Sequence, residues 1–551
     1  MSDRARILLL GAFTASALLV GMELLVTAVA LPSIIADLAG WTELRRASWI
    51  VNGYLVAYIA VMPLAGRAAD RHGLPRLLIG SMLVFAAGSL LSGAAQTLDQ
   101  LVAARVLQGL GGGAVVPLAT AGASHLFGGH TRSRALGAVG AATFLGMALG
   151  PFVGAAVLGL FDLAPLVEAS GQAGSAAALL IPAWRWIFYL GAPLAVVAAL
   201  VTWAAAPVWP ATPRRGRLDV IGAILFTTTL GAGLLSITGL GSDTGPGVVG
   251  VAAASAVAIV AALLAVMRLL RTSDPFLDLR AFRDRVFSGA VLVSLLTGYA
   301  LATAIIGAAV FVDRVHYGGP ADQRLALGAL AGATAIGALV SGFVLRRFGI
   351  VAISVVGLLL GAAGLLVLTG AGAATGLPAY SGALAVFGFG FGLSVTPRST
   401  AAVEALGRAA FGLASAAVTV ARMVGMGVGL AILTAFGSNR IEALSVVLVD
   451  ATARDAVLPP ELRGRPLHDA FVVDALERWA AGQAATILAG LFLVAAMVTL
   501  VALVPALAMR RRGAATARVR ASGTSTTIGA DEGSGADEGS GAADDEPALA
   551  L

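Results

Sequence analysis

Three ionisable residues, Glu23, Arg105 and Arg422, stand inside stretches that are otherwise apolar enough for a lipid core. An ionised side chain at mid-bilayer costs at least ~2.5 kcal/mol on insertion scales, so each needs a reason to be there. A rise of about 1.5 Å per residue puts Glu23 roughly 12 Å from the end of its stretch at Leu31, and Arg105 roughly 8 Å from the start of its own at Gln100. Neighbouring helices alternate in direction, so the two share a similar depth. Arg422 lies near the middle of a much later stretch. A carboxylate beside arginines in an apolar cavity suits proton coupling, because its protonation responds to which side it faces. The competing reading is a static ion pair that holds helices together. These residues alone leave both open.

Other chemistries are poorly represented. The chain has no Cys, which excludes structural disulfides, thiolate metal sites and thiol catalysis. Its five His (His72, His125, His130, His316, His468) are scattered without metal-ligand spacing. The Gly-rich run Leu110 to Gly113 lacks a following Lys-Ser/Thr and sits in an apolar stretch, so it is no phosphate loop. We expect no enzyme activity, no cofactor and no ATP-driven step.

The elements that hold these charges are membrane helices. Of 551 residues, 58% are hydrophobic and only 12% charged, with a mean hydropathy of +0.91, more apolar surface than a soluble fold can bury. Apolar stretches recur near the roughly 20 residues that a helix needs to cross a bilayer, without the alternation of a barrel. They fall near 7–31, 47–66, 76–95, 100–122, 135–160 and 186–206, then 219–240, 247–270, 286–312, 325–345, 350–370, 379–400, 409–437 and 481–508. The first is too long for a signal peptide and reads as a retained span.

All 36 basic residues are Arg, and seven acids crowd the last thirty residues, leaving the body seven charges more positive than the net +6. The arginines cluster in short loops, so the positive-inside rule explains them better than nucleic acid does. A cytoplasmic N-terminus puts Arg67 to Arg76, Arg132 to Arg134, Arg214 to Arg217, Arg268 to Arg285, Arg346 to Arg347 and Arg510 to Arg512 on one side. Both termini are therefore expected in the cytoplasm, with the chain in the plasma or inner membrane. A faint repeat, Gly66 to Arg76 and Gly342 to Gly349, divides the chain. We expect a six-helix bundle over 1–206 and a linker with two extra helices over 207–285. A second bundle follows over 286–510, then an acidic tail, disordered by composition, over 511–551. Residues 438–480 read as an external loop on the bilayer surface with two amphipathic stretches, Ile441 to Leu458 and Leu467 to Trp479.

Several motifs carry a family resemblance. GRAADRHGLPR, with Gly66, Asp70, Arg71, Gly73 and Arg76, resembles the signature loop of the major facilitator superfamily. Gly73 is suited to turning the chain, and Asp70 to latching one state by pairing across the seam between bundles. LVAARVLQGLGGG resembles the family's second motif through Arg105, Gln108 and Gly109. GMALGPFVGA resembles its exporter motif, with Gly146, Gly150 and Gly154 as a small-residue stripe and Pro151 bending the helix. Glu23 with Ala30-Leu31-Pro32, Trp184-Arg185-Trp186, Asp219 with Gly222, Pro275 to Phe287, Gly388 to Pro397 and the Arg422 segment resemble the fourteen-helix drug:proton antiporters. MPLAGRAADR and the Arg422 segment also resemble the mycobacterial triacylglyceride-exporter branch. Phe144, however, stands where that branch carries an acid.

The resemblance implies an all-α polytopic protein of fourteen helices, two six-helix bundles plus two linking helices. It implies proton-driven export of lipophilic, drug-like compounds, with Glu23, Arg105 and Arg422 in proton coupling and the glycine motifs in gating. The alternatives are a cell-envelope lipid exporter working with a periplasmic lipoprotein, and a non-transporting sensor or scaffold.

Overall fold

A computed structural model describes residues 3–39, 43–127, 129–161, 180–206, 219–240, 245–272, 279–406 and 411–510. The acidic tail lies outside them. Among the described residues all regular structure is helical. Helices occupy every one of the fourteen apolar segments. The first six are α1 (Asp3–Leu38), α2 (Trp49–His72), α3 (Leu74–Ala94), α4 (Leu98–Leu126), α5 (Gly129–Leu160) and α6 (Trp184–Ala205). A pair follows, α7 (Val220–Thr238) and α8 (Gly245–Arg271). The last six are α9 (Arg285–Arg314), α10 (Pro320–Phe348), α11 (Ile350–Leu368), α12 (Leu377–Leu406), α13 (Phe411–Val449) and α14 (Ala470–Val501). Among the described residues twelve are long and apolar enough to cross a membrane, and α5 makes a thirteenth when its two bent halves count as one span. In α2 the described apolar part is Trp49–Met62, and the basic signature motif begins at Gly66.

The caps follow from the sequence. Asp284 accepts hydrogen bonds from the amides of Val286 (2.8 Å) and Phe287 (2.9 Å) to start α9. Asp219 starts α7 by accepting from Gly222 N at 3.0 Å, and its carboxylate also takes Arg268 Nε of α8 at 2.6 Å, tying that pair together. Gly73 and Gly349 link α2 to α3 and α10 to α11 with φ of 86° and 81°. Those values favour glycine, so the faint repeat is a backbone feature that the chain uses twice.

The packing repeats as well. Within the first six helices α1 packs on α5 and α6, α2 on α4, and α3 on α4 and α6. Within the last six, α9 packs on α13 and α14, α10 on α12, and α11 on α12 and α14. The two sets meet where α2 lies on α13, α5 on α10, and α1 on α9. The extra helix α7 rests on α2 and α13, while α8 is mostly exposed along an apolar surface suited to lipid.

Small residues make these crossings. A Cβ at Gly109 or Gly113 would strike the α2 backbone at Tyr54 or Tyr58, and one at Gly388 or Gly392 would strike α10 at Leu330 or Thr334. Without a hydrophobic drive in lipid, such close backbone contact is a main source of association.

The segment 438–480 differs from the surface loop expected. No Gly or Pro stands between Gly437 and Pro459, so α13 continues without interruption to Val449. Its 39 residues far exceed one bilayer crossing. A short helix, Ala451–Val457, is capped by Asp450, and α14 starts early at Ala470. Leu458, Val472 and Leu476 bury one another in a small core, so much of the two stretches read as amphipathic surface helices prolongs α13 and α14, with the short helix Ala451–Val457 between them.

Candidate functional site

Glu23 on α1 and Arg105 on α4 form a direct pair, Oε1 to Nη1 at 2.6 Å, and both are buried. Thr27, one turn along α1, donates to the same carboxylate at 3.3 Å. Arg105 Nη1 also reaches Gln108 Oε1 at 2.5 Å, and its Nε donates to the carbonyl of Ile50 at 3.2 Å. Gln108 Nε2 donates to Ser89, which donates to the carbonyl of Phe188. The guanidinium lies 4.3 Å from the Tyr54 ring centre and 5.5 Å from that of Phe188. Gly88 makes the layer possible: a Cβ there would overlap the backbone of Gln108. Beside it, Asn52 is fully buried and both side-chain polar atoms lack hydrogen-bond partners. Removing one member of such a pair leaves an uncompensated buried charge, a loss of about 3–5 kcal/mol.

Two cavities flank this layer. One, of about 190 Å³, is lined by α1 at Val20 and Gly21, α2 at Tyr54 and Tyr58, and by Arg398 and Arg422. The other, of about 340 Å³, is mostly apolar and lined by Leu31, Ile35 and Val51 across from Ile306, Leu430 and Leu488. Along α1, Gly21 and Leu31 are roughly 15 Å apart at 1.5 Å per residue. Glu23 and Thr27 lie between them in sequence, so along α1 the charge pair stands at a level between an arginine cavity and an apolar one, without lining either.

Arg422 lies apart from this pair, as its place in a much later stretch implies. It stands across the seam, on α13, in the arginine cavity. Arg398 on α12 is its neighbour there, and the sequence reading missed it. Arg398 is 1% exposed, donates to Thr297 Oγ1 and lies 4.9 Å from the Phe391 ring centre, while its Nη2 has no hydrogen-bond partner. It seemed to flank the end of a span near 400, whereas α12 runs two turns further, to Leu406. The apolar run Ala401-Ala402-Val403 after Pro397-Arg398 was the available signal.

The gating candidates divide. Gly66, Asp70 and Arg71 belong to the last turns of α2, and their side chains lie outside those described. Gly73 makes the turn, and Arg76 is exposed on α3. Gly146, Gly150, Pro151 and Gly154 are buried on α5. A Cβ at Gly146 would overlap the carbonyl of Leu18 and lie 3.0 Å from Met22 N, and one at Gly154 would lie 3.3 Å from Val29 Cβ. The stripe thus faces α1, a turn from Glu23. Pro151 has no N–H for the carbonyl of Met147, and α5 bends by 41° between Met147 and Leu149. A second stripe, unremarked in the sequence, mirrors the first: Gly425 and Gly429 of α13 bring that helix onto α9 at Leu295 and Tyr299. Phe144, like several α5 neighbours, has a side chain outside those described. Among the described residues no three His, Asp or Glu are placed to hold a metal.

Comparison with known proteins settles the family. The model of the Major Facilitator Superfamily matches residues 13–430. The chain belongs to the major facilitator superfamily. It is thus a multi-pass membrane transporter and not an enzyme, and several relatives have named functions. The chain is 35% identical over 418 residues to the triacylglyceride transporter of Mycolicibacterium hassiacum, covering 72% of this chain and 73% of that one. It is 31% identical over 484 residues to the triacylglyceride transporter of Mycolicibacterium smegmatis, covering 84% and 82%. Among solved structures, a bacterial homologue of the human lysosomal transporter Spinster, facing inward, aligns with a TM-score of 0.62 at 17% identity over 93% of this chain and all of that one. A peptide transporter of the POT family aligns at 0.58 and 16% identity over 93% and 98%.

Proposed function

We propose that this superfamily member is a fourteen-span exporter of long-chain lipid, working by alternating access and driven by inward proton flow. The Glu23–Arg105 pair carries the reading: a buried carboxylate at 2.6 Å from a buried guanidinium, set between two cavities. In the outward-open state Glu23 takes a proton and releases Arg105 from the pair. Exposure to the other side returns the proton, and the pair re-forms. Lipid and proton compete for the state in which the layer is loosened, and this competition is the coupling.

The lipid reading takes precedence over the drug-like one because relatives at 31–35% identity are named as triacylglyceride transporters. The mostly apolar 340 Å³ cavity also suits acyl chains better than a polar drug. With both termini in the cytoplasm, the arginine cavity faces the cytoplasm and the apolar cavity faces outward. The bundles 1–206 and 286–510 rock about the seam of α2 with α13 and α5 with α10, with the 207–285 helices bracing one side. Gly66, Asp70, Arg71, Gly73 and Arg76 latch the cycle. Gly146, Gly150, Pro151 and Gly154 form the sliding face against α1. A periplasmic lipoprotein receives the lipid beyond the membrane.

The test is flux in proteoliposomes with an imposed pH gradient, offering a labelled triacylglycerol and a lipophilic cation side by side. Lipid movement that follows the gradient and fails in Glu23→Gln supports the reading. Cation movement alone returns the drug-like reading, and a folded Glu23→Gln with wild-type behaviour points to a scaffold.

A further inference from the structure

We infer that the arginine cavity receives an anionic group, a carboxylate or phosphate carried on an acyl chain, which rests on lipid export as the function and narrows its substrate. Its lining holds two cations, Arg398 and Arg422, and no Asp or Glu among the described residues. Arg398 is buried, yet its Nη2 has no acceptor. The hydroxyls of Ser294 and Tyr54, which line the same cavity, are buried and lack hydrogen-bond partners as well. A buried donor left without an acceptor is costly, and three of them around one space are satisfied together by a ligand rich in acceptors. An oxyanion has those acceptors, and a guanidinium fork suits it in geometry and charge. An organic cation meets like charge there, and a neutral ester offers the buried Arg398 guanidinium no charged acceptor.

The remaining wall mixes aliphatic side chains, among them Val20, Leu55, Val116, Val139 and Val418, with a few hydroxyls such as Thr120 and Ser399. That combination fits a charged head with the first methylenes of its chain. A volume of about 190 Å³ is too small for a whole triacylglycerol. Charge recognition in this cavity is thus separate from chain accommodation in the apolar one.

The experiment measures binding to the purified full-length protein in an uncharged detergent, using radiolabelled oleate, lysophosphatidate and monoolein, with inorganic phosphate as competitor. Oleate and lysophosphatidate are expected to bind about tenfold more tightly than monoolein. Arg398→Gln is expected to bring the three within about twofold of one another while leaving monoolein unchanged, and Arg398→Lys to keep part of the preference. Displacement by millimolar phosphate assigns the site to a free oxyanion, whereas retention of lysophosphatidate assigns it to a headgroup arriving with its chain; both uphold an anion site. Equal wild-type binding of oleate and monoolein overturns it, as does a charge preference that survives Arg398→Gln. If Arg398→Gln does not fold, Ser294→Ala and the wild-type acid-versus-ester comparison decide. Loss of gradient-driven flux with the charge preference intact counts against lipid export, not against the anion site.

Discussion

Glu23 is where the sequence was most informative, because an acid in an apolar stretch has few explanations and Arg105 at matching depth supplied its partner. Glu23→Gln keeps an acceptor near Arg105 but removes the proton cycle. Gradient-driven flux is therefore expected to fall at least about tenfold while the protein stays folded by size-exclusion and thermal melting. Glu23→Ala is expected to do more, destabilising the protein by about 3 kcal/mol as Arg105 is left buried without its counter-ion. A melting temperature equal to that of wild type would show that the pair is not buried in solution. Arg398 was illegible for a geometric reason: it lay near an estimated helix end, and only the actual length of α12 turned a flanking cation into a buried one. Asn52 was missed because a neutral polar residue barely disturbs hydropathy.

Helices were legible nearly throughout, since every apolar stretch became one, and their ends were not. Gly66 to His72 read as a loop but form the end of α2, because nothing before Gly73 breaks the helix. The 438–480 segment was misread for the same reason: charges in Ile441 to Leu458 suggested a surface element, although Gly and Pro are absent until Pro459. Glycine stripes were legible as close-packing faces, but their partner helices were not. Gly425→Leu should displace α13 from α9 at Leu295, lowering the melting temperature, and the matching Gly146→Leu should do so between α5 and α1. A tolerated leucine at either position would contradict the crossings described. Pro151→Ala restores a backbone donor to Met147 and should straighten the 41° bend of α5. Distances between spin labels at the two ends of α5 would lengthen, whereas an unchanged distance would place the cause of the bend elsewhere. At the start of α14, the amide of Phe471 foremost, and then Arg465, hold the Asp469 carboxyl below its usual range. Its capping contribution is present at neutral pH and is lost as pH falls through that depressed value. Asp469→Ala should remove hydrogen-exchange protection at 470–473 at neutral pH, and acid should do the same to wild type.

Across the molecule, one packing scheme is used twice, with α1 to α6 matched by α9 to α14 and the pair α7 and α8 between them. Only the glycine turns at Gly73 and Gly349 hinted at this in the sequence, because helices that share a fold need share little else. Such a scheme allows two equivalent arrangements of the halves about a fixed centre, and the Glu23–Arg105 layer sits between cavities that would open in turn. That both cavities belong to one route is the claim on which proton-driven lipid export depends. The decisive measurement is lipid flux in proteoliposomes holding wild-type protein or Glu23→Gln, with and without an inward pH gradient. Flux that rises with the gradient in wild type and is absent from a folded Glu23→Gln is the predicted result. Flux indifferent to the gradient, or equal in the two proteins, would contradict it.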